Sequence, residues 1–432
     1  MNRIAMLSVH TCPLATLGGK KTGGMNVYVR DLSRELGRRG IQVDVFTRSE
    51  NSGVPQVTTL GENARVIHVL TGPEQPIGTS EVYPYLPQFI DGVLAFAERE
   101  AASYDLIFSH YWLSGWAAHE LRARWGVPVA QMFHTLGRMK NRIAQGMAEQ
   151  ETDIRVFTET DIMSWADCLI AATPAERAQL LWLYRADRHK IEIVPPGVDL
   201  KRFRPLDPEE AKSRIGIPAH HKMLLFVGRI EPLKGVDTIL QAAALLRQEN
   251  PALLNDLWIS IIGGDGEADM ADAEMARLKA LREELGLRDL VTFLGARDQD
   301  TLHYYYAAAE ALIMPSDYES FGMVALEAMA CGTPVIASEV GGLAFLVQDG
   351  VTGFHVPTRE PAALARSIRL MLSEPERRIQ MGQAAHDTAQ QYGWPLIADR
   401  LLDIFESMRL TSIRANRVDR FGGDIGRLLF DL

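Results

Sequence analysis

The stretch SDYESFGMVALEAMACGTPVIAS, Ser316–Ser338, places Glu319 and Glu327 eight positions apart around a Phe321-Gly322 pair. The apolar run ALIM before it ends at Pro315, MVALEAMA is built of strong helix formers, and TPVIAS is again an apolar run. The order is strand, turn, helix, strand, with Gly322 permitting close backbone approach at the turn. Alone, the pair has a plain explanation. Glu319 is an acid at a helix entry, favoured by the helix dipole, and Glu327 is paired or exposed. The alternative is that both accept hydrogen bonds from vicinal diols of a sugar or ribose.

The same alternation extends outward in both directions. RIAMLSVH, QVDVFTR, ARVIHVL, YDLIFSH, VPVAQMFH and DCLIAAT read as buried strands. MNVYVRDLSRELGRRG reads as a helix with Val29, Leu32 and Leu36 on one face and Gly40 at its end. After KIEIVPPGVDLKRFRP the cycle restarts with KMLLFVGRI, LWISIIGGDG, LVTFLGA, ALIMPSD and TPVIASEV. Such alternation predicts α/β architecture with two parallel sheets. Pro195-Pro196-Gly197 is the expected hinge, which divides the chain into residues 1–197 and 198–394. A last helix, PLIADRLLDIFESMRL, opens a segment 395–432 expected to cross back to the first domain, its tail beyond about residue 411 left unassigned. Two open sheets facing one another place their strand C-termini, and so their ligand loops, in the cleft between them.

At 432 residues the chain is long enough for two cores, and 47% hydrophobic with 23% charged residues is a soluble globular composition. A formal charge of −10 argues against a nucleic-acid surface and against broad attachment to anionic lipid. Cys12, Cys168 and Cys331 lie far apart, the pattern of reduced thiols. One early arginine followed at once by a strand pattern predicts no export leader, and no apolar run reaches membrane length. The expectation is a cytoplasmic protein.

Further stretches carry chemistry. GGKKTGGMN, Gly18–Asn26, joins the first strand to the first helix. It fits neither the dinucleotide nor the P-loop pattern, but its glycines allow backbone contact with an anion; a merely flexible loop is the plain reading. In VGRIEPLKG, Arg229 and Lys234 follow a strand, as a diphosphate clamp or as solvated cations. His10, His110 and His134 each end a predicted strand, which suggests a polar pocket floor without zinc spacing. The acidic run Asp265–Glu274 is read as a solvated loop and helix start.

Together these stretches resemble the retaining GT-B glycosyltransferases of the group that includes sucrose-phosphate synthase, sucrose synthase and the mycothiol-pathway inositol-phosphate glycosyltransferase. The resemblance runs from residue 1 to about 405 and rests on ESFGMVALEAMACGTPVIAS, GRIEPLKG and PPGVD. It implies two Rossmann-like domains about a central cleft and a nucleotide-sugar donor, UDP-glucose first. Arg229 and Lys234 would hold the diphosphate, Glu319 with Phe321, Gly322 and Met323 the transferred sugar, and Val324 would be a further donor contact. Glu327 would take the ribose, Gly24 would lie against the diphosphate, and His134 would sit over the sugar.

TGGMNVYV, SHYWLSG and HTLGRMKN are similar to the inositol-phosphate enzymes, whose acceptor contacts match Asn26, Tyr111, Thr135 and Arg155. A lysine of that phosphate site is replaced here by Thr79-Ser80, and PYLPQFIDGVL resembles sucrose-phosphate synthase, whose acceptor is fructose 6-phosphate. The first loop has Gly23-Gly24-Met25 where that group has GGQ. The expected partners are thus a UDP-sugar co-substrate and a small phosphorylated sugar or polyol. No cofactor, metal, nucleic acid or stable membrane insertion is expected, and a homodimer is compatible. Rival expectations are an inositol-phosphate N-acetylglucosaminyltransferase, a nucleotide-sugar epimerase, a glycogen-synthase-like polymerase and a non-catalytic sugar-binding protein.

Overall fold

The structure, a computed structural model, describes residues 1–15, 23–144, 146, 150–264 and 273–428, with side chains as far as residue 413. Two sheets organise it. The first contains β1 (Arg3–Leu7), β2 (Gln42–Ser49), β3 (Val57–Gly61), β4 (Ala64–Leu70), β5 (Leu106–His110), β6 (Val129–Met132), β7 (Cys168–Ala171) and β8 (Ile191–Ile193). Its order is β3-β4-β2-β1-β5-β6-β7-β8, parallel except for the edge pair β3 and β4. The second contains β9 (Lys222–Val227), β10 (Leu257–Ile262), β11 (Val291–Gly295), β12 (Ala311–Met314), β13 (Val335–Ser338) and β14 (Gly353–Val356). It is wholly parallel, in the order β11-β10-β9-β12-β13-β14.

The central strands are short, apolar and covered on both faces, as parallel strands between helices must be. Ile4, Met6, Val43, Val45, Leu106 and Phe108 pack beneath Val29, Leu32 and Leu36 of the helix Gly24–Arg38. In the second sheet Leu224, Phe226, Ile259, Ile261 and Ile313 pack against Ile239 and Leu240. The final helix spans Trp394–Leu428. Its Ile397, Leu401 and Phe405, four residues apart, are fully buried in the core that holds β1 and β5, with the Phe405 ring 5.1 Å from that of Phe108. Burying Phe405 alone contributes about 1.5–3 kcal/mol. Arg39 on the first helix adds an ion pair to Asp399 at 2.9 Å. Beside the hinge the two passages between sheets touch, the Val198 N–H donating to the Tyr392 carbonyl at 2.8 Å.

In each sheet the connections reverse direction at one point, between β1 and β5 and between β9 and β12. Loops leaving strand C-termini at such a point diverge and open a crevice. The two crevices face one another.

Candidate active site

Between the sheets lies a cleft of about 340 Å³. Its second-sheet wall begins where β9 ends in Gly228 and Arg229. Gly235 follows Lys234 in the left-handed region at φ 68°, and a Cβ there would stand 2.3 Å from the Pro315 carbonyl oxygen. That close approach packs the Lys234 turn onto the end of β12, where the Asp317 N–H donates to the Leu233 carbonyl at 2.8 Å. Lys234 Nζ consequently donates to Glu319 Oε2 at 2.5 Å, both side chains 17% exposed. Arg229 pairs with Glu231 at 2.5 Å and stays half-exposed.

The helix Met323–Ala330 starts beside this pair, capped by Gly322 at φ 103°. Phe321, Gly322, Met323 and Val324 all line the cleft, so the N–H groups of the helix's first turn, which lack intrahelical acceptors, lie at its wall. Gly24 faces them from the other domain: a Cβ on it would stand 3.2 Å from Met323 Cγ. Two helix N-termini therefore meet across the cleft. Of the first glycine loop, Gly18–Thr22 lie outside the described residues, as do Asp265–Asp272 of the acidic stretch.

Glu327 is placed differently from Glu319. It does not line the cleft and is 4% exposed. Tyr306 Oη donates to its Oε2 at 2.8 Å and Gln299 Nε2 to its Oε1 at 3.3 Å. Burial pushes its carboxyl up to about 7. As the fifth residue of its helix, it faces the helix Gln299–Ala308 packed alongside.

On the first-sheet wall the three strand-end histidines gather, though not equivalently. His10 and His134 line the cleft, whereas His110 is fully buried beneath, its Nδ1 3.0 Å from His134 Nε2. Burial pushes His134 down to about 3, and burial reinforced by His134 holds His110 well below the imidazole range. Both rings are neutral at pH 7, so His134 is a neutral hydrogen-bonding group there. His134 and Tyr111 hold left-handed backbone, φ 62° and 74°, at a cost of roughly 1–2 kcal/mol each. Strain of this kind collects at functional sites.

Arg155 does not line the cleft either. It is 1% exposed and bonds outward to Tyr111 Oη at 2.9 Å and to Thr135 Oγ1 at 3.0 Å, both of which do line it. Behind, it pairs with Glu159 and with Glu151, each at 2.8 Å. Asn26 lines the cleft, but its amide is committed: Nδ2 donates to Thr11 Oγ1 at 2.5 Å and to the Cys12 carbonyl at 2.7 Å, and Oδ1 accepts from Gly23 N–H at 3.0 Å.

Sequence reasoning missed Lys140, which lines the cleft and pairs with Glu151 at 2.7 Å. It lies within the quoted HTLGRMKN, five residues after Thr135, and only the short helix Gly137–Ile143 brings it to the wall. Thr79, standing where a lysine was sought, also lines the cleft. Among the described residues, the one group suited to a metal ion is His220, His221 and Asp256, outside the cleft beside the N-terminal ends of β9 and β10.

Comparisons with known proteins bear on the family and the fold. Residues 23–197 match the family Glycosyl transferase 4-like domain and residues 207–388 the family Glycosyl transferases group 1. The chain is 40% identical over 416 residues to the D-inositol 3-phosphate glycosyltransferase of Thermomonospora curvata, covering 95% of this chain and 96% of that one. It is 41% identical to D-inositol 3-phosphate glycosyltransferase 2 of Catenulispora acidiphila, covering 96% and 97%. The solved sucrose-phosphate synthase of Thermosynechococcus elongatus superposes with TM-score 0.87 at 34% identity, over 95% of this chain and 100% of that one. The fold is that of a GT-B enzyme. The chain belongs to the group 1 glycosyltransferases. The epimerase alternative finds no support, since these relatives carry glycosyltransferase names.

Proposed function

We propose that this glycosyltransferase moves a sugar, glucose first, from a UDP-sugar to a small phosphorylated acceptor with retention of configuration. The observation that carries the reading is the arrangement of the cleft. Lys234, Arg229 and the N–H groups at the start of the helix Met323–Ala330 offer hydrogen-bond donors on one wall, each cation already paired with a carboxylate. Lys140, Tyr111 and Thr135 offer a cation and hydroxyls on the other.

The diphosphate lies toward Arg229 and Lys234, with Lys234 held in place by Glu319. Because Glu319 is engaged by that ammonium, it positions the sugar rather than attacking its anomeric carbon. Attack then comes from the acceptor hydroxyl on the face the leaving group departs. The bond from the anomeric carbon to the diphosphate oxygen breaks, the acceptor oxygen bonds to that carbon, and the hydroxyl proton passes to the leaving diphosphate. The two cations stabilise the charge developing on it.

Fructose 6-phosphate is the first acceptor, on the sequence identity to a sucrose-phosphate synthase and on Thr79 in the cleft in place of a lysine. An inositol phosphate is the second, on the 40–41% identical relatives. Nucleotide release from UDP-glucose, ADP-glucose and UDP-N-acetylglucosamine with fructose 6-phosphate, inositol phosphate and glucose 6-phosphate distinguishes them. Release that no phosphorylated acceptor stimulates overturns the reading.

A further inference from the structure

Gln299 joins three separate parts of the chain. It is the first residue of the helix Gln299–Ala308 and is 4% exposed. Its Oε1 accepts from Arg30 Nη2, on the helix Gly24–Arg38 of the other domain, and from Arg202 Nη1 in the linker at 3.3 Å. With two guanidinium groups on the oxygen, the orientation of the amide is determined, because only the oxygen can accept. The Nε2 side therefore points to Glu327 Oε1, where it donates at 3.3 Å. Arg30 is itself held: its Nε donates to Asp31 Oδ1 at 2.8 Å. Arg202 likewise pairs with Asp300 at 3.1 Å.

We infer that Gln299 is a positioning residue for Glu327, and that Arg30 makes this positioning depend on contact between the two domains. This rests on the proposed nucleotide-sugar reading, extended by having Glu327, buried behind the cleft lining, take the ribose diol. A buried carboxylate has few orientations that leave its oxygens satisfied, and here Tyr306 and Gln299 select one. If the Arg30 helix withdraws, the amide oxygen keeps only the Arg202 bond at 3.3 Å, and the donor to Glu327 is less firmly directed. The nucleotide end of the site is then held most firmly while the domains are docked. Nucleotide binding and docking thereby favour one another, each by the same factor.

The test measures UDP binding by calorimetry, together with donor KM and kcat, for Arg30→Ala, Gln299→Ala, the double variant and Glu327→Ala. Each single change at Arg30 or Gln299 is expected to raise the UDP Kd and the donor KM about tenfold, with kcat at saturating donor within about threefold. The double variant should be at most about twofold weaker than Gln299→Ala, because Arg30 acts mainly through that amide and only to a lesser degree by its charge on Glu327, and Arg30→Lys should recover part of the loss. Multiplying effects in the double variant, or an unchanged UDP Kd in Gln299→Ala beside a weakened Glu327→Ala, overturns the coupling. An unchanged Kd in Glu327→Ala overturns instead the ribose reading beneath it. Arg30 lies on a helix surface and is partly exposed, so its variant keeps the test open should Gln299→Ala fail to fold.

Discussion

The Lys234 ammonium donates to the Glu319 carboxylate at 2.5 Å across 85 residues of sequence, joining the turn after β9 to the turn after β12. One group expected at the diphosphate and one expected at the sugar thus form a single unit. Hydrogen bonds to charged groups contribute roughly 1.5–3 kcal/mol each, so Lys234→Ala should lower kcat/KM about 10- to 100-fold or more. Steady-state kinetics with the preferred donor give the answer, and turnover equal to wild type would remove Lys234 from the mechanism.

The raised Glu327 carboxyl predicts a pH profile. Diol hydroxyls donate, and so they need the carboxylate. With the free-enzyme value at about 7, kcat/KM for the donor should climb roughly tenfold per pH unit below neutrality and level off above it. Glu327→Gln should be slow and flat across that range; a wild-type profile with no break near 7 contradicts the assignment.

Stability should run the other way. The unfolded carboxyl titrates near 4.5 and the folded one near 7, so between those values the folded chain holds the extra proton. Stability therefore falls as pH rises through that window. Glu176, also pushed up to about 7 by burial, contributes in the same sense. Tm measured from pH 5 to 8 should drop less in Glu327→Gln than in wild type, and parallel curves would count against a buried, proton-holding Glu327.

The acceptor wall separates two kinds of cation. Lys140→Ala removes a partly exposed side chain and should raise the acceptor KM at least tenfold while the donor KM stays within about twofold. Arg155→Ala should do the same and also destabilise the fold by about 3–5 kcal/mol, because it strands the fully buried Glu159. Kinetics paired with thermal melts read both effects. An unaltered acceptor KM in Lys140→Ala would leave no phosphate corner to defend.

Metal dependence gives a further check. Two cations and a helix start at the donor wall can carry the charge of a diphosphate. Rates in excess chelator should match those without it to within about twofold. Loss of activity restored by magnesium would assign that charge to an ion instead.

Much of the architecture was legible in the sequence. Central strands such as RIAML and KMLLFV are continuous apolar runs because both faces are covered, and that pattern needs no tertiary information. The strands that sequence reading did not identify, β3, β8 and β14, all lie at sheet edges; partial exposure dilutes the first two, and Gly353 and His355 interrupt the third. For the site, local motifs located the strand-end loops, since a parallel sheet delivers every such loop to one edge. They did not show which way each side chain faces.

That second decision belongs to packing. Glu319 and Glu327 share one short motif, yet one lines the cleft and the other lies in the interior against Tyr306 and Gln299. Arg155 stands behind the wall while Lys140, fifteen positions earlier, reaches the opening. Sequence alone determined the class of fold, most of its strands and the loops at their ends, because periodicity and turn chemistry are local. Only the tertiary structure decided which charges are exposed to a ligand and which serve to hold others, because burial and ion pairing join residues as far apart as Arg30 and Gln299.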